Sequence, residues 1–278
     1  MLSIYGGTGF IGSNYYKRYK SKSILINRNE RSPKTENILY FISTIHNYHV
    51  FDDPYKDVDT NLRILIATLE ACKEYSKINN KNITFNFISS WFVYGETNLP
   101  AHESSNCNPK GFYSITKKCA EDLIVSYCKT FNMNYRIMRL CNVYGTGDSK
   151  SSKKKNALQY MIDCLKEDKE VKLYEGGNVF RDYMHVNDVC NAINLLIEKG
   201  NVNEIYNIGS GKKYFLKNII SSCIKVLNSK SKITSIPTPE FHKIVQVKNM
   251  YLDNKKLLSA GFVQNISIEE GIKLICKK

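Results

Sequence analysis

A glycine-rich turn near the amino terminus constrains the fold more than any other feature of this sequence. The chain opens with MLSIYGGTGFIG, in which the apolar run at 2–5 predicts a strand and the stretch from Gly12 to Tyr19 predicts a helix. Glycines between a strand and a helix let the backbone approach a phosphate, and the helix amino end offers it unpaired N–H groups. We therefore predict a nucleotide cofactor bound by the turn residues Gly6, Gly9, Phe10, Ile11 and Gly12.

Strands and helices alternate after this turn as far as residue 140. Apolar runs and helical spacing predict strands at 23–27, 37–43, 83–89 and 135–140 and helices at 59–75 and 113–129. This alternation predicts an α/β fold of the Rossmann type, with a doubly wound parallel sheet. Beyond it we expect a strand at 171–175 and helices at 156–167, 187–198, 214–227 and from 267 onward. No linker separates the two regions, so any second domain is interwoven with the first.

The end of the second predicted strand bears on the form of the cofactor. In dinucleotide sites an acidic side chain there ordinarily binds the ribose hydroxyls, but this chain has Asn27 and Arg28, with Arg31 close behind. An arginine without the acid suits a 2′-phosphate. We therefore assign Asn27 and Arg28 to the cofactor site and favour NADP over NAD. The alternative is that both arginines are solvated loop residues.

Two polar segments further along the chain carry candidate catalytic groups. Ser89 and Ser90 end the third of these strands at the carboxyl edge of the sheet, and Tyr113 and Lys117 lie four residues apart on one helix face. A neighbouring ammonium and the cationic ring of an oxidised nicotinamide would both favour the phenolate. We expect them to bring the pKa of Tyr113 down from about 10 toward the working range of an acid or base. Ser90 could hold the same substrate oxygen.

The composition argues against several classes of protein. The formal net charge is +14, but lysine is spread along the whole chain and no arginine cluster alternates with aromatic residues, so we expect no nucleic-acid partner. No apolar window reaches about 18 residues and no signal peptide is recognisable, so we expect no membrane association. The nine scattered cysteines form neither a C-x-x-C pair nor a metal-ligand spacing, which predicts a cytoplasmic protein without a metal site.

Six motifs follow one another over nearly the whole chain: GGTGFIG (6–12), SSWFVYG (89–95), YSITK (113–117), RLCNVYG (139–145), RDYMHVNDV (181–189) and YNIGSG (206–211). In these motifs the chain resembles the extended short-chain dehydrogenase/reductases, the family of NAD(P)-dependent nucleotide-sugar epimerases, dehydratases and reductases. The resemblance implies that Ser90, Tyr113 and Lys117 are the catalytic residues. It also implies a hydride transfer between the nicotinamide and a sugar carbon, commonly C4.

The same resemblance extends the list of site residues. Asn142 and Arg181 match positions that contact the sugar and the diphosphate of a nucleotide sugar, and Asn61 matches one that braces the cofactor. A guanidinium suits bidentate contact with a phosphate, although Arg181 could instead pair with Asp182 or Asp188. The predicted substrate site is therefore Ser90, Trp91, Asn142 and Arg181. The cofactor site gains Ser43, Asn61, Ser89, Tyr113 and Lys117.

The resemblance also predicts how the chain is organised. We expect a dinucleotide-binding domain at 1–145 and about 180–208, and a nucleotide-sugar-binding domain at about 146–179 and 209–278. In this family two helices of each subunit pair in a homodimer, which here would be those at 59–76 and 113–129. The lysine-rich segment at 148–155 has a composition that would suit a loop folding over the substrate.

One structural unit of the family is missing from the sequence. Only nine residues, 28–36, join the second and third predicted strands, where the family usually inserts a further strand and helix. The missing strand is normally at the sheet edge, so its loss leaves the core intact. Nine extended residues span about 30 Å, which allows a taut return over one strand. Since the absent unit normally contacts the adenine, we expect a looser grip on the cofactor.

Departures from the family's motifs exclude some of the reactions that the family catalyses. Dehydratases of this family carry an acid pair where this chain has Trp91 and Phe92, which cannot transfer a proton. Bifunctional 3,5-epimerase/4-reductases carry a cysteine and a histidine where this chain has Trp91 and Gly147.

Two activities stay open: a 4-keto-(6-deoxy)sugar reductase in the synthesis of surface-polysaccharide precursors, and a 4-epimerase that retains NAD. Arg28 and the looser cofactor grip favour the reductase. A third alternative is a catalytically silent dinucleotide-binding sensor or scaffold, which retention of the three catalytic residues disfavours.

Overall fold

The computed structural model describes residues 1–147 and 157–277, and within them the chain forms strands and helices in alternation. The strands are β1 Leu2–Tyr5, β2 Ser23–Leu25, β3 Asn37–Tyr40, β4 Thr84–Ser90, β5 Asn134–Leu140, β6 Asn142–Tyr144, β7 Val171–Tyr174, β8 Phe180–Arg181, β9 Tyr183–His185, β10 Glu204–Ile208, β11 Tyr214–Phe215 and β12 Ile233–Ile236. The helices are α1 Phe10–Arg18, α2 Lys56–Val58, α3 Ile64–Asn79, α4 Phe112–Thr130, α5 Ala157–Lys166, α6 Val186–Lys199, α7 Leu216–Leu227, α8 Glu240–Val245, α9 Lys255–Ser259 and α10 Ile268–Cys276. A π-helical turn, Asp59–Arg63, leads into α3.

The central sheet is parallel and has six strands in the order β10-β5-β4-β3-β1-β2. This arrangement confirms the predicted doubly wound Rossmann fold. It also confirms that the outer strand–helix unit is missing, since β1 pairs with both β2 and β3 and β2 forms the edge of the sheet. The sixth strand, β10, was not predicted. This strand has only five residues and begins with an exposed glutamate, Glu204, so its apolar run is short.

The short connection from β2 to β3 is fastened to strand β1 by two hydroxyl groups. The Ser3 Oγ atom accepts hydrogen bonds from the backbone N–H groups of Lys34 and Thr35, at 2.9 and 3.0 Å. The Tyr5 hydroxyl donates to the backbone carbonyl of Arg31 at 2.6 Å. These bonds satisfy backbone groups that a sheet or helix would otherwise pair. Residues 28–36 therefore cross over β1 in place of a full strand–helix unit.

Each face of the sheet carries its own apolar core, because successive strand residues point to opposite faces. On one face α1 and α6 cover a core that includes Ile4, Leu39, Met138, Val189 and Ile193. On the other face α3 and α4 cover a core that includes Tyr40, Leu69, Phe85, Ile124 and Ile137. The carboxyl ends of the strands, where the predicted catalytic residues lie, are thereby held between two packed helical layers.

A third core lies among the later elements. It joins α5, α7 and α10 to β7 through buried residues such as Ile162, Leu173, Ile220 and Ile272. By contrast, residues between Val247 and Phe262 pack against the first core, beside the sheet. The division into two domains stays a prediction. The predicted later helices are present within a few residues of their expected ends, and α10 begins with a capping box between Ser267 and Glu270.

Candidate active site

The glycine turn has two positions that the protein's own packing requires to be glycine. Gly6 has a φ of +75°, and a Cβ atom there would lie 2.9 Å from the backbone nitrogen of Ile42. A Cβ atom at Gly12 would lie 2.5 Å from the Gly6 carbonyl oxygen. Gly9 differs, because its φ is −74° and the nearest atom to a Cβ there would be the Gly6 carbonyl oxygen at 3.5 Å. The fold does not explain Gly9, whereas a ligand approaching the backbone would.

Gly9 also caps helix α1, which begins at Phe10. No side chain caps this helix, so its first N–H groups face the open side of the turn together with the positive end of the helix dipole. Phe10 and Ile11 form the first turn and are half-buried. The turn therefore offers the backbone donors that a pyrophosphate needs.

At the end of β2 the predicted ribose-side residues differ in their surroundings. Asn27 and Arg28 are exposed. The Arg31 guanidinium instead donates to the backbone carbonyls of Arg28 and Glu30, at 2.8 and 3.0 Å. Arg31 therefore shapes the loop, and Arg28 is the arginine that a bound 2′-phosphate could reach.

The structure brings Ser90, Tyr113 and Lys117 together at the carboxyl end of β4. The Ser90 hydroxyl lies near the Tyr113 phenol, where it favours the phenolate, and its Oγ atom accepts from the Phe92 N–H at 3.3 Å. The Lys117 ammonium donates to the Ile88 carbonyl at 2.6 Å. Both helical residues are almost fully buried, so the phenol and the ammonium meet the strand end from the first turns of α4.

Burial controls the pKa values of both groups. Burial raises the pKa of Tyr113 to about 12, and the nearby Asp57 adds to this, while the Ser90 hydroxyl opposes it. Burial lowers the pKa of Lys117 to about 7, against the opposing charge of Glu121. The expected lowering of the Tyr113 pKa by Lys117 is therefore wrong for the protein by itself. Desolvation is the largest cause of the Tyr113 shift, and Lys117 is itself partly neutral near pH 7.

Asn61 holds the loop after β3 against helix α4. Its Oδ1 atom accepts from the Ser43 hydroxyl at 3.1 Å and from the Thr44 N–H at 2.9 Å. Its Nδ2 atom donates to the hydroxyls of Thr44 and Thr116, at 2.8 and 2.9 Å. Ser43 lies in this loop because β3 ends at Tyr40, three residues before its predicted end. Asn61 and Ser43 therefore act together, next to the turn of α4 that carries Tyr113.

Sequence analysis missed several residues of this neighbourhood, and for most of them the sequence offers no signal. Thr44, Asn47 and Asp57 lie in a loop or in short helices without a recognisable motif, and Thr116 lies inside the YSITK motif at a position to which no role was assigned. Glu121 is the exception, because it follows Lys117 by one helical turn. It accepts from the Ser89 hydroxyl at 2.5 Å and from the Arg139 guanidinium at 2.7 and 3.1 Å. The Ser89 side chain thus points to Glu121, and its place in the cofactor site stays a prediction.

The predicted substrate residues lie where the strands of the second region meet the sheet. The Asn142 side-chain amide donates to the Asp182 carbonyl at 3.1 Å, which fixes β6 beside β9. The Arg181 guanidinium donates to the carbonyls of Phe180, Val247 and Lys248. Burial lowers its pKa to about 10.

Neither of the two aspartates proposed as partners of Arg181 pairs with it. The Asp182 carboxylate accepts from Ser210 and Gly211, and the Asp188 carboxylate accepts from the N–H groups at 265 and 266. In the part of the chain that the structure describes, the guanidinium has no carboxylate partner. A half-buried cation without a counterion is suited to a phosphate.

Trp91 contacts Arg181 and leaves little of its own surface open. Its ring is stacked on that of Phe92, with centroids 3.9 Å apart, and the Arg181 guanidinium carbon lies 5.2 Å from its centroid. Only 3% of the residue is exposed. The predicted loop at 148–155 lies outside the described residues.

The sequence profile of the NAD dependent epimerase/dehydratase family matches residues 39–209, which is more than half of the chain. The chain belongs to this family.

Other members of the epimerase/dehydratase family resemble the chain over much of its length. "Putative UDP-glucose 4-epimerase" of Methanocaldococcus jannaschii is 26% identical over 306 residues, covering 99% of this chain and 97% of that protein. GDP-6-deoxy-D-mannose reductase of Pseudomonas aeruginosa is 28% identical over 192 residues, covering 67% of this chain and 62% of that protein. The crystal structure of UDP-glucose 4-epimerase from Thermotoga maritima has the same fold, with a TM-score of 0.87 at 22% identity and coverage of 99% and 97%.

Members of the epimerase/dehydratase family are NAD(P)-dependent enzymes of nucleotide sugars, and the residues present here fit such a cofactor. The uncapped amino end of α1 and the open space at Gly9 suit its pyrophosphate, and the buried Tyr113 and Lys117 suit its nicotinamide end. Among the described residues no helix has the length and apolar character that a bilayer crossing requires.

Proposed function

We propose that this protein is an NAD(P)-dependent oxidoreductase acting at C4 of a nucleotide-activated sugar, and that it reduces a 4-keto-(6-deoxy)sugar to supply precursors of a surface polysaccharide. The observation that carries the proposal is the meeting of three groups at the end of β4: the Ser90 hydroxyl on the strand, and the buried Tyr113 phenol and Lys117 ammonium on α4, the last bonded to the Ile88 carbonyl. A silent sensor or scaffold needs none of these three groups in this arrangement.

Ser90 and Tyr113 present two hydroxyl groups to one substrate oxygen. In the reductive direction the Tyr113 phenol donates its proton to the carbonyl oxygen of the 4-keto sugar, and the Ser90 hydroxyl holds that oxygen in line. When bound, the reduced nicotinamide supplies the hydride. Lys117, held by the Ile88 carbonyl, carries a positive charge in part of the molecules near pH 7 and then stabilises the phenolate that Tyr113 becomes.

Arg181 and Asn142 would orient the substrate. The guanidinium lacks a carboxylate partner among the described residues and offers donors to the diphosphate. The Asn142 amide donates to a backbone carbonyl, so its oxygen is available to a sugar hydroxyl. Together they would place the sugar ring toward Tyr113.

The reductase is favoured by the cofactor end of the site. Arg28 is exposed just beyond β2, where Asn27 and Arg28 stand in place of the usual acid, and this suits the 2′-phosphate of NADPH. The short connection at 28–36 leaves fewer contacts for the adenine, which suits a cofactor that is exchanged after each turnover. The similarity to the Pseudomonas reductase supports the same assignment.

A 4-epimerase is the second candidate. It is favoured by the similarity to the Methanocaldococcus protein, which extends over nearly the full length of both chains. An epimerase must keep its reduced cofactor bound while the keto intermediate turns over. The two activities therefore differ in whether the purified protein retains NAD.

We also propose that the chain forms a homodimer through the helices predicted at 59–76 and 113–129. Apolar side chains on both helices are exposed, among them Ile66 at 43% and Ile115 at 48%. A second copy of the chain would cover them. The mass of the protein in solution, measured by light scattering, tests this.

The decisive experiment is a panel of nucleotide 4-keto sugars offered with NADH and NADPH and followed by absorbance. We expect oxidation of NADPH with one of them and a loss of about 10²- to 10⁴-fold in rate in Tyr113→Phe, which removes the proton donor. Tyr75→Phe, at a partly buried tyrosine of α3 that packs against the second core, is the matched control and should keep the wild-type rate. Equal, negligible rates in wild type and Tyr113→Phe would favour the silent alternative, and stoichiometric NAD in the purified protein would favour the epimerase.

A further inference from the structure

A continuous series of side-chain contacts connects Arg181 to Tyr113. The Arg181 guanidinium carbon lies 5.2 Å from the centroid of the Trp91 ring. Trp91 stacks on Phe92, with centroids 3.9 Å apart and ring planes at 23°. The Phe92 ring then meets Tyr113 edge to face, at 5.8 Å and 82°. Two aromatic rings therefore join the group suited to an anion and the group suited to proton transfer.

The position of Trp91 indicates that it acts on its neighbours rather than on a ligand. Only 3% of the residue is exposed, and it belongs to the same apolar core as Met184 and Leu252. Its ring contacts Phe92 and the guanidinium, so almost no face is left for a sugar. A buried ring in contact with a cation restricts where that cation can lie.

Arg181 is held in a way that an anion would disturb. Its guanidinium donates to the carbonyl of Phe180 and to the carbonyls of Val247 and Lys248. The donors of a guanidinium are fixed in one plane. A phosphate that takes some of these donors therefore competes with the carbonyls and shifts the guanidinium relative to the Trp91 ring.

We propose that Trp91 and Phe92 are positioning residues that couple binding of a nucleoside diphosphate group at Arg181 to the orientation of the Tyr113 phenol. The inference rests on the proposed function, because it takes Tyr113 as the proton donor and a phosphorylated compound as the substrate. The indole ring holds the guanidinium on one side, and its stack with Phe92 fixes the ring that packs against the phenol. Energetic coupling of this kind is shown by measurement on variants.

The chain provides a built-in reporter for the first half of the proposal, since Trp91 is its single tryptophan. We would titrate the protein with UDP, CDP, GDP, ADP, dTDP and inorganic pyrophosphate, following tryptophan emission and, in parallel, heat of binding. At least one nucleoside diphosphate should give a saturable emission change that Arg181→Met abolishes. Arg63→Met, at an exposed arginine paired with Asp59, is the matched control and should behave as wild type.

Two results of this titration would overturn the coupling. One is calorimetric binding that requires Arg181 but leaves the emission unchanged, in which case the proposed function would stand and the coupling would not. The other is the absence of binding by every diphosphate in the series. An emission change in a protein that turns over none of the sugars would have the opposite meaning: the first half of the coupling, from the diphosphate to Trp91, would stand, and the proposed function and the second half would fail.

Steady-state kinetics test the second half of the proposal, the link from Trp91 through Phe92 to the Tyr113 phenol. Arg181→Met should raise the KM for the nucleotide sugar, whereas Phe92→Leu should lower kcat about tenfold at unchanged KM, because the phenol loses its neighbouring ring. In the double variant the losses in kcat/KM should be less than multiplicative, since both changes break the same series of contacts. Phe131→Leu, at an exposed phenylalanine, is the control. A Phe92→Leu protein that melts earlier but keeps the wild-type kcat would show that the ring has a structural role and would overturn the proposal.

Discussion

The backbone N–H of Tyr113 donates a hydrogen bond to the Oδ1 atom of Asn47 at 3.1 Å. This bond ties the first turn of α4 to the loop after β3. It depends on Gly111, because a Cβ atom there would lie 2.6 Å from the same Oδ1 atom and 3.1 Å from the Val245 side chain. The glycine and the amide together determine where the phenol of Tyr113 lies.

Gly111→Ala should therefore destabilise the protein and lower its turnover. The residue has a φ of +78°, so alanine is strained there in addition to crowding Asn47. We expect a loss of about 2 to 4 kcal/mol in the free energy of unfolding, measured by denaturant titration. Gly261→Ala is the matched control, with a φ of +95° and nothing within 4 Å of the added Cβ. It should cost about 1 kcal/mol and leave turnover unchanged. Equal losses in the two variants would refute the role of crowding.

Lys117 should make stability depend on pH. Burial lowers its pKa to about 7 in the folded protein, while the unfolded chain keeps an ordinary lysine. Between these two pKa values the unfolded state binds the extra proton, so wild-type stability rises with pH. From pH 6 to pH 9 the contribution is about 3 kcal/mol.

Lys117→Met should lose this rise. It should be more stable than wild type at pH 6, where the folded wild type buries a charge, and the advantage should shrink toward pH 9. The measurement is denaturant unfolding of both proteins at the two values. A difference between wild type and variant that stays constant with pH would contradict a depressed pKa. Lys118→Met, at the neighbouring helix position, should leave the pH dependence as in wild type.

Glu121 and Arg139 form a buried ion pair, and we expect the loss of one partner to destabilise the protein more than the loss of both. The side chains are 2% and 3% exposed, and the carboxylate accepts two hydrogen bonds from the guanidinium. Arg139→Met leaves a buried carboxylate unpaired and should cost about 3 to 5 kcal/mol. The double variant Glu121→Met, Arg139→Met should recover most of that loss, because neither charge of the pair is left buried without its partner. Asp122→Ala breaks the exposed pair with Lys118 on the same helix and should cost about 1 kcal/mol or less.

Arg28 should decide between the two forms of the cofactor. If it contacts the 2′-phosphate, Arg28→Ala should weaken NADPH binding about 10- to 100-fold and leave NADH binding unchanged, since only NADPH carries that phosphate. The dissociation constants can be measured by nucleotide fluorescence without any sugar. Arg18→Ala, at an exposed arginine in the last turn of α1, is the control. Equal weakening of both nucleotides would show that Arg28 has no part in the distinction.

The fold was predictable because the apolar periodicity of the separate segments agrees with the strands and helices that the sheet requires. Apolar runs predicted most strands of the sheet, and the nine residues between the second and third predicted strands revealed the missing unit. Pieces that are short or partly polar, such as β8, β11 and α8, carry too few residues for a periodic signal. Their positions are set by contacts with distant segments, as when Arg181 on β8 reaches the carbonyls of Val247 and Lys248.

The candidate site was predictable in its motif residues and unpredictable in its supports. Tyr113 and Lys117 are one helical turn apart, so the sequence places them together. Asn47 reaches Tyr113 across 66 residues and Thr44 meets Asn61 across 17, and no spacing rule connects such pairs. The direction of the Tyr113 pKa was also missed, because desolvation depends on how completely the surrounding layers cover the ring.

The short connection at 28–36, which crosses over β1, has a consequence for protein engineering. Its geometry depends on a serine and a tyrosine two residues apart on one strand, at positions 3 and 5, which supply the acceptor and the donor for the crossing backbone. A longer homologue could be trimmed of its outer unit by transplanting residues 28–36, provided that both hydroxyls are transplanted with them. The border of such a sheet is then a modular part, exchanged together with two buried positions of the strand beside it.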